Sequence, residues 1–380
     1  MRFSVLLAGL ATSLAFSSPV LADNLSDLDQ CKFVGEISKA DQGIAACGRI
    51  IGDAKVAGSG RAVAFSNRCG WWWAKKDPDR ALSDCNEAIR VDRTYAPAYI
   101  NRGNAYLGKA DIDHAFSDFN EAIRLDPKSA WAYSARGDLH KAKGEFDRAL
   151  ADFNQAIQFD PNYAIGYFFR GDLYKRMGDF DHAMSDLNES IRLDPNYAAA
   201  YFIRGCVNYS KGNNPSALAD FESSILLDPN NPFVYFNRGV AYFVIGGRIA
   251  DAQADFKKAN QLNPQDPYAA LWLDLTERRN DVPSHLADTA KQLDMTAWPA
   301  PVIRQFLGEL SAAQTIAAAS DEDPKKQVAQ TCEANFYSGE FALLKKNRPE
   351  ATRLFKLAAK DCPPTFIEST AAVAELIAKR

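Results

Sequence analysis

The dipeptide Asp-Pro returns every 34 residues, at Asp126-Pro127, Asp160-Pro161, Asp194-Pro195 and Asp228-Pro229, and Asn263-Pro264 follows one residue late. A chain that repeats at this interval is built of small supersecondary units, each too small to bury its own apolar face, so stability has to come from contacts between neighbours. The usual inference from 380 residues to two or three globular domains therefore does not apply, because such chains grow by adding units.

Aligning the chain on this period stacks further positions. Arg68, Arg102, Arg136, Arg170, Arg204 and Arg238 share one column, and Cys69, Gly103, Gly137, Gly171, Gly205 and Gly239 follow them directly. An aromatic precedes each arginine by three residues, at Phe65, Tyr99, Tyr133, Tyr167, Tyr201 and Tyr235. A small residue comes next, at Ala81, Ala115, Ala149, Ala183, Ala217 and Ala252, then an apolar one at Phe119, Phe153, Leu187, Phe221 and Phe256. Glycine and alanine columns let two antiparallel helices approach closely, and the aromatics fill the space to the next hairpin. The proline ends the second helix, since it donates no N–H and restrains the residue before it. Each unit resembles the tetratricopeptide repeat (TPR). The expected fold is all-α, a TPR α-solenoid of antiparallel helix hairpins with degenerate capping hairpins at both ends.

Six clear units run over 62–266. Upstream, 23–61 reads as a worn capping hairpin whose second helix is Ile44 to Ile51, ending in a flexible Ala57-Gly58-Ser59-Gly60. Downstream, 267–320 reads as a degenerate unit, with helices over Pro267 to Asn280 and Ser284 to Leu293, then a continuous helix from Val302 to Ser320. Asp321-Glu322-Asp323-Pro324 reads as a linker, and 321–380 as a final hairpin, Lys326 to Lys360, closed by a helix from Phe366 to Lys379.

At the amino end, Arg2 supplies a positive charge, Phe3 to Phe16 is apolar, and Ser17-Ser18-Pro19-Val20-Leu21-Ala22 offers small residues for cleavage. This predicts a signal peptide over 1–22, cut after Ala22. The alternative, a membrane anchor, needs roughly 20 apolar residues, and this stretch is shorter. No cysteine stands at the cleavage point to accept a lipid, and no other segment is apolar enough to span a bilayer. Export as a soluble protein is the expectation. A formal net charge of −4 without a long basic or acidic run disfavours nucleic acid as a partner.

Seven cysteines remain after cleavage. Cys31 and Cys47 are 16 apart, as are Cys69 and Cys85, which occupy the glycine column and the apolar column of one hairpin. Cys332 opens the first helix of the last hairpin and Cys362 ends the second. Three disulfides are predicted, Cys31 with Cys47, Cys69 with Cys85 and Cys332 with Cys362, each closing a hairpin near an end of the stack. Buried thiols are the alternative. Cys206 is left over and reads as a packing residue.

No catalytic constellation assembles. The histidines His114, His140, His182 and His285 are dispersed, and neither a zinc-protease motif, a phosphate loop nor a nucleophile elbow occurs. The expectation is a protein that is not an enzyme and takes no cofactor or metal. Function then falls to the concave face of the solenoid, lined by first helices. Its candidate residues are Trp131, Ile165 and Phe233 at helix starts, then Ser134, Phe168, Phe202 and Phe236, then Asn104, Asp138, Asp172 and Val240, then Trp73, Leu107, Lys141, Lys175, Tyr209 and Phe243. The middle of this groove is polar and its later part aromatic, which suits a peptide with a hydrophobic anchor; the alternative for any of these aromatics is inter-repeat core. The successive residues of Trp71-Trp72-Trp73 cannot all face one way on a helix.

The last third carries more specific spacing. Trp298-Pro299, Leu307-Gly308, Glu333, Asn335-Phe336-Tyr337, Gly339, Ala351-Thr352, Leu354-Phe355-Lys356-Leu357-Ala358, Phe366 and Glu368 resemble the end of the NlpI-like TPR lipoproteins of Gram-negative bacteria. That resemblance implies a homodimeric adaptor that brings a periplasmic protease to cell-wall hydrolases; the missing lipid-acceptor cysteine departs from it. The expected function is a scaffold that binds a peptide segment of partner proteins. The alternative is a structural subunit of an envelope or secretion assembly acting through self-association or its convex face.

Overall fold

A computed structural model describes residues 25–33, 37–363 and 366–378. The predicted signal peptide lies outside the described residues. Every regular element among the described residues is helical, and they form two compact units that divide between Asp194 and Pro195.

The first unit contains α1 (Leu25–Cys31), α2 (Ala40–Gly52), α3 (Gly58–Ala74), α4 (Pro78–Val91), α5 (Ala96–Gly108), α6 (Ile112–Leu125), α7 (Ala130–Ala142), α8 (Phe146–Phe159), α9 (Ala164–Met177) and α10 (Phe180–Leu193). From α3 onward these pair as four antiparallel hairpins. Inside each hairpin the glycine of the first helix seats the apolar residue of the second. A Cβ on Gly103 would stand 2.5 Å from Phe119, and one on Gly137 2.7 Å from Phe153. Such approaches exclude any larger residue unless the ring moves. In the α3/α4 hairpin this pair is replaced by Cys69 and Cys85, whose sulfurs lie at covalent distance.

The arginine column has a structural partner. Arg68, Arg102, Arg136 and Arg170 each grip the carboxylate of an aspartate in the second helix of their own hairpin, Asp84, Asp118, Asp152 and Asp186, with two hydrogen bonds of 2.6–2.8 Å. Arg102, Arg136 and Arg170 also donate to Asn86, Asn120 and Asn154 of the preceding hairpin, which ties successive units together. The aromatic three residues earlier lies under the guanidinium, as with Tyr99 at 5.4 Å from Arg102 and Tyr133 at 5.5 Å from Arg136. A bidentate pair that is mostly desolvated and roofed by a ring is far stronger than an exposed ion pair. The Asp-Pro acids sit at helix C-termini, where Asp126 and Asp160 accept from backbone N–H groups two residues on. His114 and His182 bond to Asp111 and Asp179, the residues that cap α6 and α10, and so serve the fold.

The second unit contains α11 (Ala198–Ser210), α12 (Asn214–Leu227), α13 (Pro232–Ile245), α14 (Ile249–Leu262), α15 (Pro267–Arg279), α16 (Leu286–Thr289), α17 (Ala300–Phe306), α18 (Ala312–Ala318), α19 (Pro324–Leu344), α20 (Arg348–Asp361) and α21 (Ile367–Ile377). Two repeat hairpins, α11/α12 and α13/α14, keep the same Arg–Asp pairs, Arg204 with Asp220 and Arg238 with Asp255. The extra residue that delays Asn263-Pro264 falls at Gly246-Gly247, both with left-handed φ. Beyond them α15 is buried on most of its circumference, with Leu271, Trp272 and Leu275 fully enclosed, and α19, α20 and α21 pack around it in one core. Gly339 and Phe355 repeat the glycine-to-aromatic fit in the α19/α20 hairpin.

Several boundaries differ from the sequence reading. Gly58-Ser59-Gly60 is not a flexible tail but the first turn of α3, because Gly60 leaves room for Val56 where a Cβ would collide at 2.9 Å. The helix expected from Val302 to Ser320 is two, broken where Gly308 turns left-handed and Ser311 starts α18 with a capping box to Gln314. The helix expected over Ser284 to Leu293 is reduced to the single turn of α16 and a 3-10 turn. Asp321 to Pro324 is not a loose linker: Gln327 bonds both Ala319 O and Asp321 N, and Asp323 caps α19. Because α19 begins at Pro324, Cys332 lies two turns inside it rather than opening it, and still reaches Cys362 at the end of α20.

Candidate binding surfaces on the first helices

In the first unit the first-helix face of α7 and α9 combines aromatic and charged side chains. Trp131 and Ile165 stand half-buried at the helix starts. One turn on, Ser134 and Phe168 are buried, and the Tyr163 hydroxyl is wholly enclosed beside Ser134. Next comes an ionic cluster. The Lys141 ammonium is 2.8 Å from both Asp138 and Asp172, and Lys175 is 3.7 Å from Asp172.

Burial alone would push the Lys141 pKa down, but the charges of Asp138 and Asp172 outweigh it and hold the ammonium above its usual value. Burial likewise works against an ionised Asp172, and Lys141 and Lys175 prevail, keeping the carboxyl below the usual range. Lys141 also lies 5.2 Å from the Phe169 ring. Its side chain is only 8% exposed, whereas Asp138, Asp172 and Lys175 keep 16%, 17% and 28%, so these three, and not Lys141, are within reach of a ligand. On α5, Asn104 and Leu107 are buried, and Trp73 on α3 is half-buried. Asn104, Lys141 and Phe168 thus form the base of the wall and not its accessible surface, a correction to the expected lining, because neighbouring hairpins stack tightly enough to enclose the middle positions.

The corresponding face of the second unit is mostly covered. Val240 and Phe243 on α13 are 1% and 2% exposed, and Tyr209 and Phe236 pack against the same core. Phe243 meets Trp272 of α15 edge to face at 5.0 Å, and the Arg279 guanidinium lies 4.6 Å from its ring. Helix α21 packs on α13, α19 and α20, and the buried Tyr209 hydroxyl lies beside Thr370 of α21 with no completed hydrogen bond. The expectation that Tyr209, Phe236, Val240 and Phe243 form an open aromatic groove is therefore corrected: the chain's own last helix and α15 occupy that face. Phe202 stays half-buried against Phe221, Cys206 is partly exposed beside Asn237, and Phe233 is exposed at 47%.

The seat of α21 contains polar groups that the repeat columns do not signal. Glu333 of α19 accepts from Trp298 Nε1 at 2.7 Å and Tyr268 OH at 2.8 Å. Glu368 of α21 accepts from Tyr337 OH at 3.2 Å. Burial, then the charge of Glu333, pushes the Glu368 carboxyl up to about 7, and burial raises Glu333 as well. A second anchor joins Arg279 to Glu340 and to Glu375 of α21.

Two family profiles match the chain. One, described as TPR repeat, covers residues 137–178 and 205–246, and another, described as tetratricopeptide repeat, covers 96–129 and 164–197. Among curated proteins, the lipoprotein NlpI homolog of Haemophilus influenzae is 31% identical over 141 residues, 36% of this chain. The match spans 44% of that relative, less than half its length. Among solved structures, the APC/C hetero-tetramer Cut9-Hcn1 aligns with a TM-score of 0.56 at 13% identity, over 67% of this chain and 55% of that one. A tetratricopeptide repeat protein from Parabacteroides merdae gives 0.50 at 18% identity, over 67% and 96%. Likeness at these identities is one of fold. No helix among the described residues is long and apolar enough to cross a membrane. With the repeat columns, the hairpin packing and these matches in agreement, the chain carries tetratricopeptide repeats within 96–246 and is similar over part of its length to the NlpI lipoprotein homolog.

Proposed function

We propose that this chain is an exported, non-catalytic scaffold that holds an extended or helical segment of partner proteins on the first-helix face of its first unit. The observation that carries this reading is a face that the packing covers only in part: Trp131 and Ile165 are half-buried, two turns along α7 and α9 from the partly exposed Asp138, Asp172 and Lys175. Because the two acids are already balanced by two lysines, the surface presents hydrogen-bonding groups with little net charge. It therefore favours a segment that places an apolar side chain on Trp131 and Ile165 and its backbone along the polar stripe.

Compartment and pathway follow from likeness and chemistry. The three cysteine pairs at covalent distance suit an oxidising compartment such as the periplasm. The curated relative is named a lipoprotein, and the resemblance of the last third suggests partners among envelope proteases and cell-wall hydrolases. Crosslinking of the exported protein in its native envelope, followed by mass spectrometry, tests the reading. Crosslinked partner peptides should map to 131–175 and fall by at least about tenfold in a Trp131→Ala, Ile165→Asp variant, a loss typical of removing one anchor of about 1.4 kcal/mol or more. Recovery of the same partners by both proteins would defeat it.

A further inference from the structure

Helix α21 is seated by a face that is small in its middle, where Ala371 and Ala372 are fully buried, and acidic at both ends. Glu375 at one end meets Arg279, which also binds Glu340. Glu368 at the other end has no such counter-ion. It shares its burial with Glu333, and among the described residues neither carboxyl makes an ion pair.

From α15 come Tyr268 and, farther along, Arg279; from α19 come Glu333, Tyr337 and Glu340, and from α11 Tyr209. Burial holds all three tyrosines neutral, with pKa values raised above the ordinary phenol value. On α13, Arg238 is engaged by Asp255. On α20, Lys356 and Lys360 are exposed and Arg353 pairs with Glu350. Two carboxyls are thus buried in the one seat, Glu333 accepting from Trp298 and Tyr268 and Glu368 from Tyr337, all neutral donors, an arrangement that tolerates one negative charge and penalises two.

We infer that α21 is a proton-controlled latch: while the buried Glu333 and Glu368 carboxyls keep at least one proton between them the helix stays seated on α13, and when both ionise it lifts and uncovers Tyr209 and the α13 face beneath it. The direction follows from linkage. A carboxyl raised to about 7 in the seated state returns to its ordinary value of about 4.3 once released. Seating is therefore at full strength below the ordinary value, weakens as pH rises, and reaches its minimum above about 7. The Arg279 anchor does not titrate over this range and sets the strength that remains.

The test is hydrogen exchange of the full chain between pH 5 and 8, corrected for the intrinsic pH dependence of exchange, in wild type, Glu368→Gln and Glu333→Gln. Amides of 367–377 in the wild type should lose at least about tenfold protection across the range, one pKa unit of differential proton binding. Those of α11 to α14 should hold theirs. Each glutamine variant should narrow the wild-type pH response at least about threefold, Glu368→Gln the more, since the amide carries no charge and still accepts the tyrosine hydrogen bond while burial alone keeps the remaining carboxyl raised. A variant that melts like the wild type in circular dichroism is scored, and the two positions cover each other if one fails to fold. Constant wild-type protection of α21, a pH response in both variants as large as the wild type's, or a loss spread evenly over the whole second unit would each overturn the latch.

Discussion

At the scale of single residues, Lys141 shows how position decides whether a charge serves binding or folding. Its ammonium is enclosed between Asp138 and Asp172, so removing it leaves two carboxylates facing each other with only Lys175, 3.7 Å from Asp172, to offset them. Lys141→Met keeps the length of the side chain and deletes the charge. Breaking a fully buried pair costs 3–5 kcal/mol. Because both acids retain about one sixth of their exposure, a loss of about 2 kcal/mol at pH 7 is expected. Asp172 is held below its ordinary pKa, against burial, by Lys141 and Lys175. Its contribution is therefore present above the ordinary carboxylate value and disappears as pH falls through the depressed one. Urea unfolding of wild type and variant should differ most at pH 7 and converge below about pH 4; equal midpoints at pH 7 would show that Lys141 is not spent on the fold.

At the scale of the element, the hairpin is defined by the fit of one glycine against one ring. Gly137→Ala would gain up to about 1 kcal/mol of helix propensity, but its Cβ would lie 2.7 Å from Phe153, and overpacking of that kind costs about 1–3 kcal/mol. A net loss of roughly 1 kcal/mol in denaturant titration is expected. Adding Phe153→Leu should recover much of it, because the smaller leucine at Leu187 leaves 3.0 Å at Gly171. Failure of the second substitution to rescue the first would place the cost elsewhere. This level of organisation was legible in the sequence because each cause is local. Proline ends a helix wherever it stands, and a glycine column 16 residues from a phenylalanine column records one hairpin's contact. The aspartates that pair with the arginines stand at the same offset, from Asp84 to Asp220, but a polar column on a helix is as readily a solvated face as an ion-pair partner. What was not legible depends on contacts far apart in the chain. Nothing in Ala371-Ala372 announces that α21 seats on α13, and so Tyr209, Phe236, Val240 and Phe243 read as a groove when they are a floor. The break at Gly308 was hidden because the apolar run from Val302 to Leu307 and the alanine-rich run from Ala312 to Ala319 read as one helical stretch, and only the pairing of Ser311 with Gln314 marks the restart.

At the scale of the whole molecule, stability in a repeat chain is a sum of units and the interfaces between them, and a terminal hairpin lacks one interface. The cysteine pairs stand where that deficit falls, Cys31 with Cys47 and Cys69 with Cys85 towards the amino end and Cys332 with Cys362 towards the carboxyl end, whereas the hairpins from α5 to α14 rely on their Arg–Asp pairs and the glycine fit alone. Closing loops of 16 and 30 residues restricts the unfolded chain by about 3–4 kcal/mol each in the loop-entropy model. Thiol counting under denaturing, non-reducing conditions should find one reactive group, from Cys206, and seven would remove the covalent reading altogether. Reduction with a phosphine at neutral pH should then act unevenly: amides of α1 to α4 and of α19 to α21 should lose protection at least tenfold before those of α5 to α10 change, because each repeat contacts only its neighbours and fraying proceeds from the ends. Simultaneous loss along the entire chain would instead mean that the bonds hold one cooperative fold together, and that their placement near the ends is incidental to the way the repeats are stabilised.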